Sequence, residues 1–338
     1  MNILGIETSC DETAAAVVQN GKTILSNVVA SSLNQHKEYG GIIPEIASRR
    51  QIEFINFVVK QALKLAQVSL KNIHAIAVTE SPGLIGSLLV GISFARALSY
   101  ATGKPLINVD HIKAHLYANF LTFSHKISGT HSRGAAQGIL KPHPGSESPR
   151  LPAIGLVVSG GHSSLFYVKD FRHCQLLGQT RDDAAGEAFD KVARILNLGY
   201  PGGPIIDRLA KTGQNKEIHF TCAQIPDSND FSFSGIKTAV LYFARDKWDK
   251  NRIPVNKIAY AFQNSVVSAL VNKCLEVCRQ KHISTLLVGG GVAANSELRK
   301  RLLEETPKHR ITTHIPALPL CMDNAAMIAG LGYHMMAY

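Results

Sequence analysis

The chain has 338 residues, with 36 Lys+Arg against 25 Asp+Glu for a formal charge of +11, 45% hydrophobic residues and 18% charged. That length suffices for two domains with separate cores, and no run approaches the roughly 18 uninterrupted apolar residues of a membrane span, which argues against an integral membrane protein. The opening MNILGIETSC enters a strand-like run at once, without a basic leader or cleavage pattern, so the expected location is the cytoplasm. The six cysteines are scattered and form no CxxC pair, which predicts reduced thiols rather than a disulfide framework or thiolate zinc site. The positive surplus suits a polyanionic partner, although solubility alone would also explain it.

Short β-type runs alternate with amphipathic helices, the pattern of an α/β fold. The first half reads as strand 3–7, a polar turn 8–13, and strands 14–18 and 23–30. A helix follows over 44–67, with Pro44 at its start and Ile46, Ile52, Ile55, Val58, Val59 and Leu63 at helical spacing. Strand 75–80, the punctuation SPG, a helix through Tyr100, a stop at Gly103 and strand 106–110 complete it. The second half repeats this plan: strand 153–158, the turn SGGHSS (159–164), strand 165–168 and, later, a strand that ends in glycines at 285–293. The echo predicts a duplication. Between the halves, 124–150 is rich in Ser, Gly, Pro and His without period, carries Lys126, Arg133, Lys141 and Arg150 against Glu147, and reads as a flexible basic insertion. The expected domains are therefore 1–123, the insertion 124–150, a second half 151–315, and a C-terminal helix 316–338 that carries Asp323 back to a cleft between the halves.

His111 and His115 lie at i and i+4 in a helical stretch after strand 106–110, so both rings project from one face and can converge on a cation. Neutral imidazoles suit iron, zinc or nickel, and Asp323 in PLCMDNAAMIAG is the best candidate for a third, oxygen ligand. Asp323 could equally be a helix N-cap. The residue after His111 is Ile112, so the HExxH general base of zincin proteases is missing. SGGHSS and VGGGVAAN each end a strand, and their backbone N–H groups can approach phosphate. The run 186–207 places Asp190 on a helix and Gly203 and Asp207 around a Pro-Gly turn, where a carboxylate can accept ribose hydroxyls; tight turns use the same residues. GxxxxGK[ST] and GxGxxG are both absent, so a different phosphate-binding fold is expected.

In order along nearly the whole chain stand GIETSCDETAAAVV, GGIIPEIASRRQ, HIKAH, LVVSGGHSS, DDAAGEAFDKVA, YPGGP, FSFSGIKTA, GGGVAAN and CMDNAAMIA. In this set the chain closely resembles the tRNA N6-adenosine threonylcarbamoyltransferases, the family formerly labelled O-sialoglycoprotein endopeptidase. The resemblance implies the duplicated fold of actin and the sugar kinases, two ribonuclease-H-like domains with a cleft between. It implies transfer of threonylcarbamoyl from threonylcarbamoyl-adenylate to the N6 amine of the adenosine 3′ to the anticodon in tRNAs reading codons that begin with A. Carried over, His111, His115 and Asp323 match the ligands of one divalent ion, Fe2+ or Zn2+. Val157, Val158, Ser159, Gly160, Gly161, Asp190, Gly203, Asp207 and Asn295 match adenylate-binding positions, and Glu12 and Ser9 fall where a catalytic role is conceivable. The partners implied are tRNA, a paralogous actin-like subunit and a small ATPase subunit, with no membrane. Most members have a much shorter link where 124–150 stands. The alternatives are an ATP-dependent small-molecule kinase of the same fold, which does not need paired histidines, and a non-catalytic assembly paralogue, which lacks HxxxH.

Overall fold

A computed structural model describes residues 1–124, 148–215, 217–246 and 254–336. The expected insertion at 124–150 lies almost wholly outside the described residues. The chain forms two compact units, Met1–Pro149 with Pro316–Tyr338, and Arg150–Ile315.

In unit 1, β1 (Asn2–Glu7), β2 (Glu12–Gln19) and β3 (Thr23–Ser31) form an antiparallel meander. A short α1 (Leu33–His36) precedes α2 (Pro44–Leu65), whose proline stands in the first turn, where its missing N–H costs nothing. Next come β4 (Ala75–Ser81), parallel to β1, and α3 (Ile85–Thr102), stopped by Gly103 in the left-handed conformation. β5 (Leu106–Asp110) lies parallel to β4, α4 (His111–Tyr117) follows without a break, and β6 (Thr122–Phe123) pairs with β3. The sheet order is β5-β4-β1-β2-β3-β6.

Unit 2 repeats the plan. β7 (Ala153–Val158), β8 (Ser163–Val168) and β9 (Cys174–Gln179) form the meander. Then come α5 (Ala185–Ile195), α6 (Gly202–Ala210), α7 (Ser234–Asp246) and α8 (Val255–Gln280). β10 (Thr285–Gly289), parallel to β7, α9 (Ser296–Glu305) and β11 (Thr312–His314), parallel to β10, complete it. The order β11-β10-β7-β8-β9 matches β5-β4-β1-β2-β3 strand for strand, so the duplication expected from the sequence is present in the topology. The turn after β7 is shorter than expected, because Ser163 and Ser164 are already paired with Val158 and Val157. The chain then returns to unit 1 with α10 (Leu318–Cys321) and α11 (Ala325–Met335).

One face of the unit 1 sheet is covered by α2 and α3: Leu4, Ile6, Ala15 and Val17 pack with Ile55, Val58, Val59, Ala62 and Ala95. The other carries α11, so close that a Cβ on Gly5 would meet the Ala325 carbonyl oxygen at 2.3 Å. Period-2 alternation puts Glu7 on the face of β1 that Gly5 shares, the α11 side. In α2 the buried stripe is Ala47, Gln51, Ile55, Val58, Val59 and Ala62, whereas Ile52, expected to face the core, is exposed. The reason is polar: the Gln51 amide donates to the carbonyls of Cys10 (2.8 Å) and Glu12 (3.1 Å), so a glutamine takes the inward position to hold the loop after β1.

All six cysteines are free thiols. Among the described helices α3 alone has the length and apolar composition of a membrane span, so composition by itself does not exclude one. In this fold α3 packs on α2 and β4.

Candidate functional site

The parallel strands β1, β4 and β5 end at the same edge of the unit 1 sheet, the edge where open α/β sheets place ligands. β5 runs into Asp110, whose carboxylate accepts the Lys113 N–H at 2.8 Å and caps α4. Helix therefore begins at His111, and His115 follows one turn later on the same face, their ring centroids 4.7 Å apart. Asp323 arrives from the other end of the chain. It is not the N-cap of α11: Asn324 does that, accepting the Met327 N–H at 3.1 Å. Asp323 Oδ1 instead lies 3.2 Å from His115 Nε2 and 3.5 Å from His111 Nε2. One ligand atom from each of the three lies within 4.8 Å of the others, and this is the His/Asp group of metal-ligand geometry among the described residues.

The donor chemistry fits a divalent cation. Both histidines are buried, and neither ring nitrogen of His115 makes a hydrogen bond, a costly condition that a coordinated cation relieves. Two imidazoles and a carboxylate suit iron or zinc better than calcium or magnesium. Burial alone would lower the His111 pKa, but the carboxylates of Glu7 and Asp323 outweigh it and raise the imidazole to about 9. A cation at this imidazole would compete with the proton, so its affinity would fall toward acid pH.

Around the trio the sequence left one residue unsuspected. Glu7, fully buried at the end of β1, lies 3.1 Å from His111 Nδ1. A carboxylate closing an apolar strand was the available signal, but its partner is 104 residues away. Ser9 is also buried, with Oγ 3.3 Å from the same His111 nitrogen. Glu12 opens β2 and accepts the Ser31 hydroxyl at 3.4 Å; burial, then the charges of Asp11 and Asp323, push its carboxyl well above the usual carboxylate range. Burial and the same carboxylates raise the Cys10 thiol as well, so it is a poor thiolate and a poor ligand.

The unit 2 candidates lie at the equivalent edge, where β7 ends at Val158 beside the end of β10 at Gly289. Val157 and Val158 are fully buried, backbone included, so they shape the strand end beneath the turn rather than offering a surface to a ligand. In the turn, Ser159 N–H donates to the His162 carbonyl at 2.8 Å, and a Cβ added at Gly160 or Gly161 would meet nothing within 4 Å. The start of α5 is drawn onto this turn: Gly186 N–H donates to the Ser159 carbonyl at 3.1 Å, and a Cβ there would stand 2.5 Å from that oxygen. Gly290, at φ +90°, meets the Val158 carbonyl equally closely, so the two glycine-rich turns adjoin. Asp190 Oδ1 accepts the Gly202 N–H at 2.7 Å; burial raises its pKa, with the Gly202 and Gly203 N–H groups opposing. Gly203, the second residue of α6, has open space where a Cβ would be. Asp207 accepts the Ser296 hydroxyl at 2.8 Å, and Asn295 caps α9 through the Leu298 N–H at 3.0 Å while donating to Gln263 at 2.8 Å. These three polar residues therefore carry structural bonds in addition to any they make with a ligand.

Comparison with known proteins gives a consistent picture. The family model described as tRNA N6-adenosine threonylcarbamoyltransferase matches residues 23–138 and 130–330. A protein of that name from Clostridium botulinum (strain 657 / Type Ba4) is 48% identical over 336 residues, covering 98% of this chain and 92% of that protein. Among solved structures, T. kodakarensis HypF superposes with a TM-score of 0.61 at 15% identity, covering 99% of this chain and 47% of that one. Component A of the Acidaminococcus fermentans (R)-2-hydroxyglutaryl-CoA dehydratase gives 0.53 at 13%, covering 99% and 98%. Likeness at such identities speaks for the duplicated actin-like fold alone.

Proposed function

Because the chain belongs to the tRNA N6-adenosine threonylcarbamoyltransferase family, we propose that it transfers threonylcarbamoyl from threonylcarbamoyl-adenylate to the N6 amine of the adenosine 3′ to the anticodon, in tRNAs reading codons that begin with A. It is a tRNA-modifying acyltransferase. The observation that carries the finer reading is the meeting of His111, His115 and Asp323, two buried imidazoles and a carboxylate from distant parts of the chain. A small-molecule kinase of the same fold has no need of such a cluster, and an assembly paralogue lacks it.

In the reaction the amine nitrogen bonds to the donor carbonyl carbon, the bond from that carbon to the phosphate oxygen breaks, and AMP leaves with the electron pair. The donor is already activated, so the protein's task is to bind, orient and stabilise charge rather than form a covalent intermediate. His111, His115 and Asp323 would hold one divalent ion, Fe2+ or Zn2+, which would supply positive charge for the transfer. The backbone of the Ser159–Gly161 turn, open at both glycines, takes the phosphate, and Asp190, Gly203, Asp207 and Asn295 take the rest of the adenylate. Ser9, buried against His111, orients that ring rather than acting as a nucleophile. Glu12 is the candidate to accept the amine proton; burial and the charges of Asp11 and Asp323 raise its carboxyl pKa, and a cation at Asp323 would lower it, favouring the accepting form.

The proposed location is the cytoplasm. The proposed protein partners are a paralogous actin-like subunit and a small ATPase subunit, a reading favoured by the exposed apolar side chains of Ile52, Phe57, Ile85, Leu89 and Tyr100 on α2 and α3. The test supplies threonylcarbamoyl-adenylate bearing labelled threonine, unmodified tRNA and the purified partners. Label enters tRNA with the parent and not with the Asp323→Ala chain. Equal incorporation by both would sink the assignment, and ATP-dependent phosphorylation of a small molecule would favour the kinase.

A further inference from the structure

Glu7 has no part in the roles assigned so far, yet it is fully buried and each of its carboxylate oxygens is engaged. Oε1 accepts the Ser9 backbone N–H; Oε2 accepts the Thr79 hydroxyl and lies 3.1 Å from His111 Nδ1. Strand β1 supplies Glu7, its neighbour β4 supplies Thr79, and β5 leads directly into His111, so the group is fixed by the sheet itself. Ser9 adds its hydroxyl at 3.3 Å from the same imidazole nitrogen.

We propose that Glu7 is a positioning residue that keeps a proton on His111 Nδ1 and so presents the Nε2 lone pair to the cation. Both Glu7 oxygens act as acceptors, Oε1 for the Ser9 N–H and Oε2 for the Thr79 hydroxyl, and the same acceptor Oε2 facing Nδ1 places the ring hydrogen there. The neutral ring then has its free lone pair on Nε2, the atom 3.5 Å from Asp323 Oδ1. Carboxylate–histidine–metal relays of this kind fix both tautomer and ring orientation and raise the basicity of the ligand. The inference rests on the reading that the trio binds a divalent ion.

Glu7→Gln tests it with almost no change of shape. The amide oxygen must accept the Ser9 N–H, which leaves the NH2 group facing Thr79 and His111. A donor facing Nδ1 turns that nitrogen into an acceptor and moves the ring proton to Nε2, where it blocks the cation. Zinc affinity, measured by competition with a chromophoric chelator, should fall about 10- to 100-fold in this variant. Its thermal melting without zinc should stay close to the parent's, which a merely structural role would not allow. In the zinc-loaded parent, nitrogen–proton correlation spectra should show His111 with hydrogen on Nδ1 and none on Nε2, a readout that needs no variant to fold. Parental zinc affinity in Glu7→Gln, or a His111 that binds zinc through Nδ1, overturns the role of Glu7 while leaving the ion site standing. A parent that takes up no stoichiometric zinc, or a His115→Ala chain that keeps it, overturns the ion site and the role of Glu7 together.

Discussion

The turn from β1 to β2 and the turn from β7 to β8 occupy the same place in the two copies of one topology, yet they are built in opposite ways. In the first, Thr8, Ser9 and Asp11 are buried, pressed by Gly83 and held by Gln51. In the second, Gly160 and Gly161 are exposed, with open space where side chains would be. A duplicated scaffold has thus diverged: one turn packs side chains against His111, while the other leaves bare backbone open to solvent.

The strongest way to break this comparison is at the ligands. His115→Ala removes one of three protein ligands and should lower cation affinity by more than the 10- to 100-fold typical of losing a supporting hydrogen bond, read as metal content after dialysis. Full retention would dissolve the contrast between a ligand-bearing and an open turn. Next come two identical substitutions, one in the loop after β4 that presses on the first turn and one within the second turn. Gly83→Ala sets a Cβ 2.6 Å from the Ser9 carbonyl oxygen and should destabilise unit 1 by about 1–3 kcal/mol. Gly161→Ala meets nothing, should leave urea unfolding unchanged, and as Gly161→Val should weaken adenylate binding at least about tenfold by calorimetry. Equal stability losses at both positions would mean that the second turn is not open.

Asp190→Ala comes third. The Gly202 N–H loses its acceptor, so a stability loss of about 1–2 kcal/mol should accompany any loss of adenylate affinity. An unchanged denaturation midpoint would count against that bond. The smallest effect concerns Asp183, which Lys191 reaches at 2.6 Å and Lys237 at 3.1 Å. Burial would raise its pKa, but the two lysines outweigh that and hold it below the usual carboxylate range. Its folded pKa being lowered, the stabilisation is complete above the ordinary value and disappears as pH falls through the lowered one. Asp183→Asn should cost about 1 kcal/mol at neutral pH, with the gap from the parent closing below about pH 4. A gap constant down to pH 2 would refute the charge origin.

The features that could be read from the sequence are local ones. The i,i+4 spacing of His111 and His115, Pro44 and Gly103 at helix boundaries, and the glycines after β7 and β10 each follow from a few neighbouring residues. The repeated plan of elements was legible because both halves use the same punctuation, whereas the order of strands in the sheets came only with the fold. What escaped depends on partners far along the chain. Gln51 sits in a core stripe because Cys10 and Glu12 need a donor there, so an apolar pattern placed Ile52 inward instead. Asp323 and Asn324 are adjacent and both can cap a helix; only the fold shows that Asn324 does so and that Asp323 turns to the histidines. The bonds of Asp190, Asp207 and Asn295 to Gly202, Ser296 and Gln263 also escaped, because they bridge elements that no local rule connects.

Unit 1 is interrupted: the chain leaves it at Pro149 and comes back at Pro316. A ribosome therefore finishes every residue of unit 2 before it makes the helix that covers the α11 face of the unit 1 sheet. Until residues 325–335 emerge, the small-residue seam along β1 at Gly5 has no cover, and the two histidines lack their carboxylate. Domain-by-domain folding during synthesis can complete the second unit but not the first. A chain that stops short of residue 323 accordingly lacks one of the three proposed ligands, and on that proposal metal occupancy becomes a chemical mark of synthesis having passed this point.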